Sequence, residues 1–300
     1  MDNLYDDLYN YIFTFLTQKD LINLMRVSKK FYNLINNLPL PNVDFNTVCL
    51  KGYYLNIKKY NIEEIKTPYW QDKALYYACK GGHIEIAKLL IYKYNARNVN
   101  DGLVGACKCG NKKIIDFMIK MRANNWNLGL EAACKYGHKE IIDYMIKLGA
   151  NYFDAGLFAA CKEGRKDIVD YIIQKGNVYF NRGLQGACEG GHKDLIDYMI
   201  FKGANAWNIA FFNACKGGHK DVVDYMISKG ANNWNWGLRG ACEGGHKEIV
   251  DYMISKGATE WEKGVNYARE KGHEEIVRYL NKKFLRKSTR SVYRGIIRSW

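Results

Sequence analysis

Apolar residues in the second half of the chain recur at helical spacing. In residues 246–257 they fall at i, i+1, i+4 and i+5 with charged residues between them, which is one stripe of a 3.6-residue period. Gly257 predicts the end of this helix, because glycine readily takes the positive φ of a helix C-terminus. A helix before it is predicted from Gly237 through the small pair Ala241-Cys242 to the break at Gly244-Gly245. The pattern therefore predicts a unit of two short helices.

This unit repeats along the chain. Ala-Cys pairs follow one another at steps of 27 residues, at Ala106-Cys107, Ala133-Cys134, Ala160-Cys161, Ala187-Cys188, Ala214-Cys215 and Ala241-Cys242. Ala78-Cys79 lies 28 residues before the first of these, and Ala268 lies 27 after Ala241, with Arg269 in place of the cysteine. Neither helix of a unit can bury its apolar stripe alone, whereas stacked units can. A stacked-repeat architecture is therefore expected.

The second helix and the loop after it, G-H-x-E-I-V-x-Y-[ML]-I-x-x-G-A, resemble an ankyrin repeat across residues 70–283. The resemblance implies an all-α, ankyrin-type solenoid of helix–turn–helix repeats. The units have 27 residues rather than about 33 and lack a T-P-L-H opening, so the projecting hairpin should be cut to a tight loop. Most of these loops carry an aromatic residue, which we expect to pack between repeats: Trp126, Phe153, Phe180, Trp207, Trp234 and Trp261.

Residues 1–40 follow a different pattern, with apolar stripes that predict a small helical module. The segment resembles an F-box at Leu4, Asp7, Leu8, Ile12, Phe15, Leu16, Asp20, Leu21, Val27, Ser28, Lys29, Phe31 and Leu34, and it departs at Tyr5, where the family usually has Pro. F-box proteins dock on a Skp-type linker of a cullin–RING ubiquitin ligase. The resemblance implies linker-contacting or folding roles for Leu8, Ile12, Leu16, Leu21, Leu24 and Val27. The alternative is a helical cap that covers the first repeat.

Two further segments complete the expected domain organisation. Residues 41–69 combine a linker with a degenerate N-terminal capping repeat, and residues 70–283 hold seven Ala-Cys units and a C-terminal cap unit. Residues 284–300 form a basic tail. The net charge is +14, of which +7 lies in residues 281–300, where no acidic residue occurs. The tail either packs over the last repeat or contacts nucleic acid, an import factor or an anionic membrane.

The chain shows neither a stretch of 18 apolar residues nor a signal peptide at its acidic start, MDNLYDD. Nine cysteines are present, and seven occupy one repeated helix position. We interpret these as reduced, buried residues of a cytoplasmic protein, with a nuclear location as the alternative.

Cys-x-x-x-His occurs five times, as in Cys242 and His246. A zinc site needs about four converging ligands, and the histidine is replaced by Asn111 and Arg165 in two copies without loss of the surrounding pattern. We expect these side chains to satisfy backbone groups of the turn and predict no metal site. No catalytic motif stands out from the repeats, so neither an enzyme activity nor a cofactor is predicted.

Two positions of the first helix vary between units while the frame stays fixed. They stand directly before and directly after the Gly-Leu pair, or its equivalent, and we call them the docking strip. Variable positions have no shared packing role and should face the concave side that ankyrin arrays use for binding. Aromatic and arginine side chains are typical of binding hot spots, although these aromatics could instead pack on neighbouring loops. The candidate protein-binding residues are Glu131, Phe158, Arg182, Gln185, Phe212, Trp236 and Arg239.

These features predict a monomeric substrate-receptor adaptor. The repeats would hold a target protein, and residues 1–40 would link it to a ubiquitin ligase. The alternatives are an interaction scaffold without a ligase link and a nuclear or nucleic-acid-associated effector that works through the basic tail. The combination, with an Asn-, Lys- and Tyr-rich composition, resembles proteins by which large DNA viruses redirect host ubiquitination, which implies a host cytoplasmic location.

Overall fold

The computed structural model of the protein describes residues 45–51 and 68–283. Several predicted features lie outside these residues: the F-box-like segment with Leu8, Ile12, Leu16, Leu21, Leu24 and Val27, most of the degenerate repeat, and the basic tail. The chain divides into two compact units, Met1–Ala150 and Asn151–Trp300.

All regular elements in the described part of the chain are helices, as predicted. Those of the first unit are α1 (Phe45–Lys51), α2 (Pro68–Lys80), α3 (Ile84–Tyr92), α4 (Val99–Cys109), α5 (Lys112–Lys120), α6 (Trp126–Tyr136) and α7 (Lys139–Lys147). Those of the second unit are α8 (Phe153–Lys162), α9 (Lys166–Lys175), α10 (Phe180–Gly190), α11 (Lys193–Phe201), α12 (Trp207–Gly217), α13 (Lys220–Ser228), α14 (Trp234–Gly244), α15 (Lys247–Ser255), α16 (Trp261–Glu270) and α17 (274–283).

From α2 onward, each repeat is a first helix, a tight turn and a second helix. In α14 and α15 the first helix ends at Gly245, whose φ of +83 is strained for other residues, and the second runs from Lys247 to Ser255. The aromatic residues expected in the loops are instead the first residues of the first helices. Asn125 and Asn233 cap the helices that begin at Trp126 and Trp234. The aromatic rings are half-buried, as packing between repeats requires.

The core of each compact unit consists of equivalent residues from its repeats. In the last Ala-Cys repeat these are Leu238, Ala241 and Cys242 from the first helix, and Ile249, Val250 and Met253 from the second. The seven cysteines of the Ala-Cys pairs are buried free thiols, so the prediction of an inward position is confirmed. Burial raises the pKa of thiols such as Cys161 to about 12, which keeps them protonated and unreactive.

Hydrogen bonds between successive repeats hold the loops together. Asn208 Oδ1 accepts from the backbone N–H groups of Asn232 and Asn233, at 3.0 and 3.1 Å. The same pair of bonds, each to the loop of the following repeat, is made by Asn100, Asn181 and Asn235. These asparagines follow the first residue of the first helix, a repeated signal that the sequence analysis did not use. The shortened loops are thus fastened side by side.

The second helices are joined by a separate set of bonds. Tyr225 donates its hydroxyl to Asp197 Oδ1 at 2.7 Å, and Tyr252 donates to Asp224 Oδ1 at 2.7 Å. The Asp197 hydrogen bond raises the pKa of Tyr225. The same link joins Tyr198 to Asp170 and Tyr279 to Asp251 in the second unit, and Tyr144 to Asp116 in the first.

Candidate protein-binding site

The docking strip lies on the first helices. Its two positions are three residues apart and therefore share a helix face. A third position on that face, four residues further on, holds residues such as Lys162, Glu189 and Lys216. Each unit of the chain carries its own part of this surface.

In α8 and α10, the predicted residues contact each other. The guanidinium of Arg182 lies over the ring of Phe158, with 4.9 Å from Cζ to the ring centroid, and its Nη1 donates to Gln185 Oε1 at 2.8 Å. Phe158 is half-buried and Gln185 is 8% exposed. The arginine of the next repeat therefore partly covers Phe158. Arg182 itself remains exposed.

Arg239 makes similar contacts with aromatic rings of both the preceding and the following repeat. It lies over the ring of Phe212 at 5.5 Å and over the ring of Tyr267 at 4.6 Å, and its Nε donates to Glu243 Oε1 at 2.7 Å. The bond to Glu243 raises the pKa of Arg239, so the guanidinium stays charged. Phe212 is half-buried. Arginine–aromatic contacts of this kind fix the direction of the guanidinium.

Exposed apolar residues remain on the strip. Trp236 is 46% exposed, and Ile209, at the same position one repeat earlier, is 39% exposed. In the first unit, Leu128 is 46% exposed beside the half-buried Glu131 of the same helix. Trp236 and Arg239 also line a cavity of about 400 Å³ between α14 and α16. Apolar side chains beside a charged guanidinium are suited to binding a protein segment.

Sequence reasoning missed a charged cluster on the same face. The Glu189 carboxylate forms ion pairs with Lys162 Nζ at 2.8 Å and Lys216 Nζ at 3.2 Å, so it links α8, α10 and α12. Its side chain is 7% exposed. The alternation of Lys162, Glu189 and Lys216 at 27-residue steps was a usable signal. The cluster rigidifies the face on which a partner would bind.

The Cys-x-x-x-His pairs have separate roles in the structure. The cysteine is buried, whereas His138, His192 and His246 place Nε2 at 3.0–3.1 Å from carbonyl oxygens of the preceding repeat. Asn111 instead caps its own helix, accepting from Lys113 N at 3.1 Å. The prediction that these side chains satisfy backbone groups is confirmed, with the partner of the histidine one repeat away. Within residues 45–51 and 68–283, no group of three or more His, Cys, Asp or Glu side chains is arranged to hold a metal ion.

No helix of the described ranges combines the length and apolar character that crossing a membrane requires.

Comparison with known families bears on both parts of the chain. The F-box domain model matches residues 1–42, a model of three ankyrin repeats matches residues 184–263, and a single ankyrin repeat model matches residues 72–102. These families are typically non-catalytic interaction modules. No curated protein sequence matches the chain significantly. None of the matches indicates a viral source, and that expectation stays a prediction.

Among solved structures, the chain is similar to the human ASB11 ankyrin repeat domain. The two share 18% sequence identity with a TM-score of 0.35, and the match covers 59% of this chain and 96% of that one. The family matches and the helical repeats described above show that the fold is an all-α solenoid of repeats, as predicted. The chain thus carries ankyrin repeats together with an N-terminal segment that matches the F-box domain.

Proposed function

We propose that this protein is a substrate-receptor adaptor of a Skp–cullin-type ubiquitin ligase. The observation that carries the proposal is the match of residues 1–42 to the F-box domain in the same chain as ankyrin repeats. F-box segments bind a Skp-type linker, and ankyrin repeats bind proteins. A chain with both would bring a target protein to the ligase.

The proposal assigns one task to each part. Linker contacts come from the F-box-like residues Leu8, Ile12, Leu16, Leu21, Leu24 and Val27. Target contacts come from the docking strip, in which Arg182, Trp236 and Arg239 are exposed and are supported by the half-buried Phe158 and Phe212. Arginine and tryptophan held in fixed orientations are the residue types that dominate binding energy in protein interfaces.

A pull-down with a purified Skp-type linker tests the ligase link. The full chain should retain the linker, and the double variant Leu16→Ala, Leu21→Ala should lose it. Leu128→Ala, an exposed leucine in the repeats, is the control and should bind as the unchanged chain does. Equal retention of the linker by the double variant would contradict F-box docking and favour a scaffold without a ligase link.

Target capture is tested by proximity labelling in cells with the triple variant Phe212→Ala, Trp236→Ala, Arg239→Ala. Target proteins labelled by the unchanged chain should not be labelled by the variant, whereas the linker should still be labelled and circular dichroism should show the same helical content. Tyr179→Ala with Phe201→Ala removes two exposed aromatics outside the strip and serves as the control. Unchanged labelling by the triple variant would place target binding on another face.

Two further outcomes separate the alternatives. Binding to nucleic acid that falls steeply with salt, and that is lost when the chain is cut after residue 283, would support an effector acting through the basic tail. The proposal itself describes a monomer in the cytoplasm, which is the host cytoplasm if the source is viral. Fractionation of cells and light scattering of the purified chain test these two points.

A further inference from the structure

The cavity between α14 and α16 is a distinct part of the docking strip. Its volume is about 400 Å³, and it is lined by Asn233, Asn235, Trp236, Arg239, Glu260, Lys263, Gly264 and Tyr267. We call it the Trp236 pocket. All of its lining residues belong to the second unit, and two of them, Trp236 and Arg239, are candidates from the sequence.

The pocket lies where the residue before the Ala-Cys position changes from glycine to tyrosine. The residue before the Ala-Cys pair is glycine in α14, where a Cβ at Gly240 would lie 2.4 Å from the backbone oxygen of Phe212. In α16 the equivalent residue is Tyr267, whose side chain cannot fit at that distance. Helix α16 packs less closely against α14 than α14 packs against α12. Tyr267 is one of the residues that line the pocket.

The pocket offers mainly hydrogen-bond donors. Asn233 Oδ1 already accepts from Trp236 N at 3.1 Å, and Asn235 Oδ1 accepts from the N–H groups of Thr259 and Glu260 at 2.8 and 3.2 Å. Asn235 Oδ1 thus has both lone pairs in use, so its remaining capacity is the Nδ2–H₂ group, which only donates, whereas Asn233 keeps one acceptor lone pair beside its two N–H donors.

The charged side chains extend this pattern. Arg239 uses Nε for Glu243, which leaves the N–H groups of Nη1 and Nη2 as further donors. Lys263 Nζ lies 3.1 Å from Glu260 Oε2, an ion pair of two exposed side chains. Glu260 is the single carboxylate among the residues that line the pocket. An occupant with acceptor oxygens would satisfy more of this lining than one with donors.

We propose that the Trp236 pocket binds the side-chain carboxylate of an aspartate or glutamate in a segment of the target protein, with a neighbouring apolar residue of that segment against Trp236. This inference rests on the proposed role of the repeats in target capture and names the chemistry of the target. A charge-assisted bond to the guanidinium of Arg239 would fix the carboxylate. The carboxylates of Glu243 and Glu260 interrupt the positive charge on both sides, which disfavours a long polyanion such as RNA.

The experiment uses the full chain and random 12-residue peptides displayed on phage. Peptides selected on the unchanged chain should be enriched in Asp or Glu beside an apolar residue. Selection on Arg239→Gln should lose this enrichment, and glutamine is a matched replacement because α10 has Gln185 at the same position. Tyr267→Gly, which lets α16 approach α14, should lose it too while Arg239 is kept. Phe201→Ala, an exposed aromatic away from the pocket, should keep it.

The best labelled peptide is then measured by fluorescence polarisation. Replacing its acidic residue with Asn or Gln should weaken binding about tenfold, as expected for the loss of one charge-assisted bond. The proposal is overturned if no acidic residue is enriched, if Arg239→Gln selects the same peptides, or if oligouridine of 20 nucleotides displaces the peptide at equal affinity. Linker capture by residues 1–40 is measured separately on the same variants. Loss of linker capture with intact peptide binding would count against the ligase link alone. Loss of peptide binding with intact linker capture would count against the pocket alone.

Discussion

His246 donates its Nε2–H to the backbone carbonyl of Lys216, in the preceding repeat, at 3.1 Å. The same ring covers Gly218, where a Cβ would lie 2.5 Å from Cε1. Because only a donor can face a carbonyl oxygen, the proton of the neutral ring is on Nε2. The turn of one repeat is thus tied to the first helix of the repeat before it.

This contact predicts a dependence of stability on pH. Burial lowers the pKa of His246 below its ordinary value of 6.5, and the nearby charges of His219 and His273 lower it further, against the opposing effect of the Lys216 carbonyl. The stability that a neutral His246 contributes is complete above about pH 6.5 and is lost as the pH falls from there to the native pKa, because the unfolded chain takes up the proton first. The midpoint of urea unfolding should therefore be lower at pH 5.5 than at pH 8.

His246→Asn tests the cause of this dependence. Asn111 holds the equivalent position and caps its own helix, so asparagine fits the turn. At pH 8 the variant should lose about 1 kcal/mol of unfolding free energy, because the bond to Lys216 is missing. Its urea midpoint should fall less between pH 8 and pH 5.5 than that of the unchanged chain. An identical drop in the variant and the unchanged chain would mean that other groups cause the dependence.

Two glycines with positive φ should differ in how well they accept alanine. At Gly257, φ is +108 and a Cβ would meet no atom within 4 Å, so Gly257→Ala should cost roughly 1–2 kcal/mol from the backbone alone. At Gly245, φ is +83 and a Cβ would lie 2.7 Å from His273 Cε1, which adds roughly 1–3 kcal/mol of overlap. Thermal unfolding of both variants measures the difference. Equal losses would show that the histidine ring moves aside freely.

The bonds between loops predict a contrast at Asn208. Asn208→Ala removes the acceptor of two backbone N–H groups and should cost about 1–2 kcal/mol of unfolding free energy. Asn208→Asp should be close to neutral, since Asp154 accepts from Tyr179 N at 2.7 Å at the equivalent position. Chemical denaturation of the two variants gives the values. A destabilised Asp variant would show that the asparagine Nδ2–H₂ group also matters.

The thiols should react in a fixed order. Burial raises the pKa of Cys161 and Cys188 to about 12, whereas Cys109 is half-buried. At pH 8 the thiolate fraction of the buried thiols is lower than that of an ordinary cysteine by roughly a thousandfold. A disulfide reagent such as DTNB should therefore modify Cys109 first, and Cys109→Ser should remove the fast phase. Modification of seven or more thiols in the fast phase would indicate that the repeats open readily.

The helical pairs could be predicted from the sequence because their signals are local. The spacing of Ile249, Val250 and Met253 and the glycines at the turns determine where each helix begins, ends and turns its apolar face. Identical units then reinforce one another, since every repeat meets the same neighbours. The first helices begin at the aromatic residue rather than at the Gly-Leu pair. For the helix that begins at Trp234, Asn233 was a usable signal because asparagine is a preferred N-cap residue.

The surface was harder to predict because exposure depends on the side chain one repeat away. The variable positions share one helix face, but Gln185 is covered through its bond to Arg182, and Phe212 is partly covered by Arg239. Spacing within one repeat does not show which long side chain of the next repeat lies across it.

The asparagine that joins successive loops also limits how such a chain can change its length. Asn208 reaches backbone groups 24 and 25 residues ahead, so a single added residue in that loop would break both bonds. Duplication or deletion of a whole 27-residue segment would restore every one of them. Recombination between copies can therefore lengthen or shorten the array, and exchange one set of surface residues for another, while the hydrogen bonds between loops are kept.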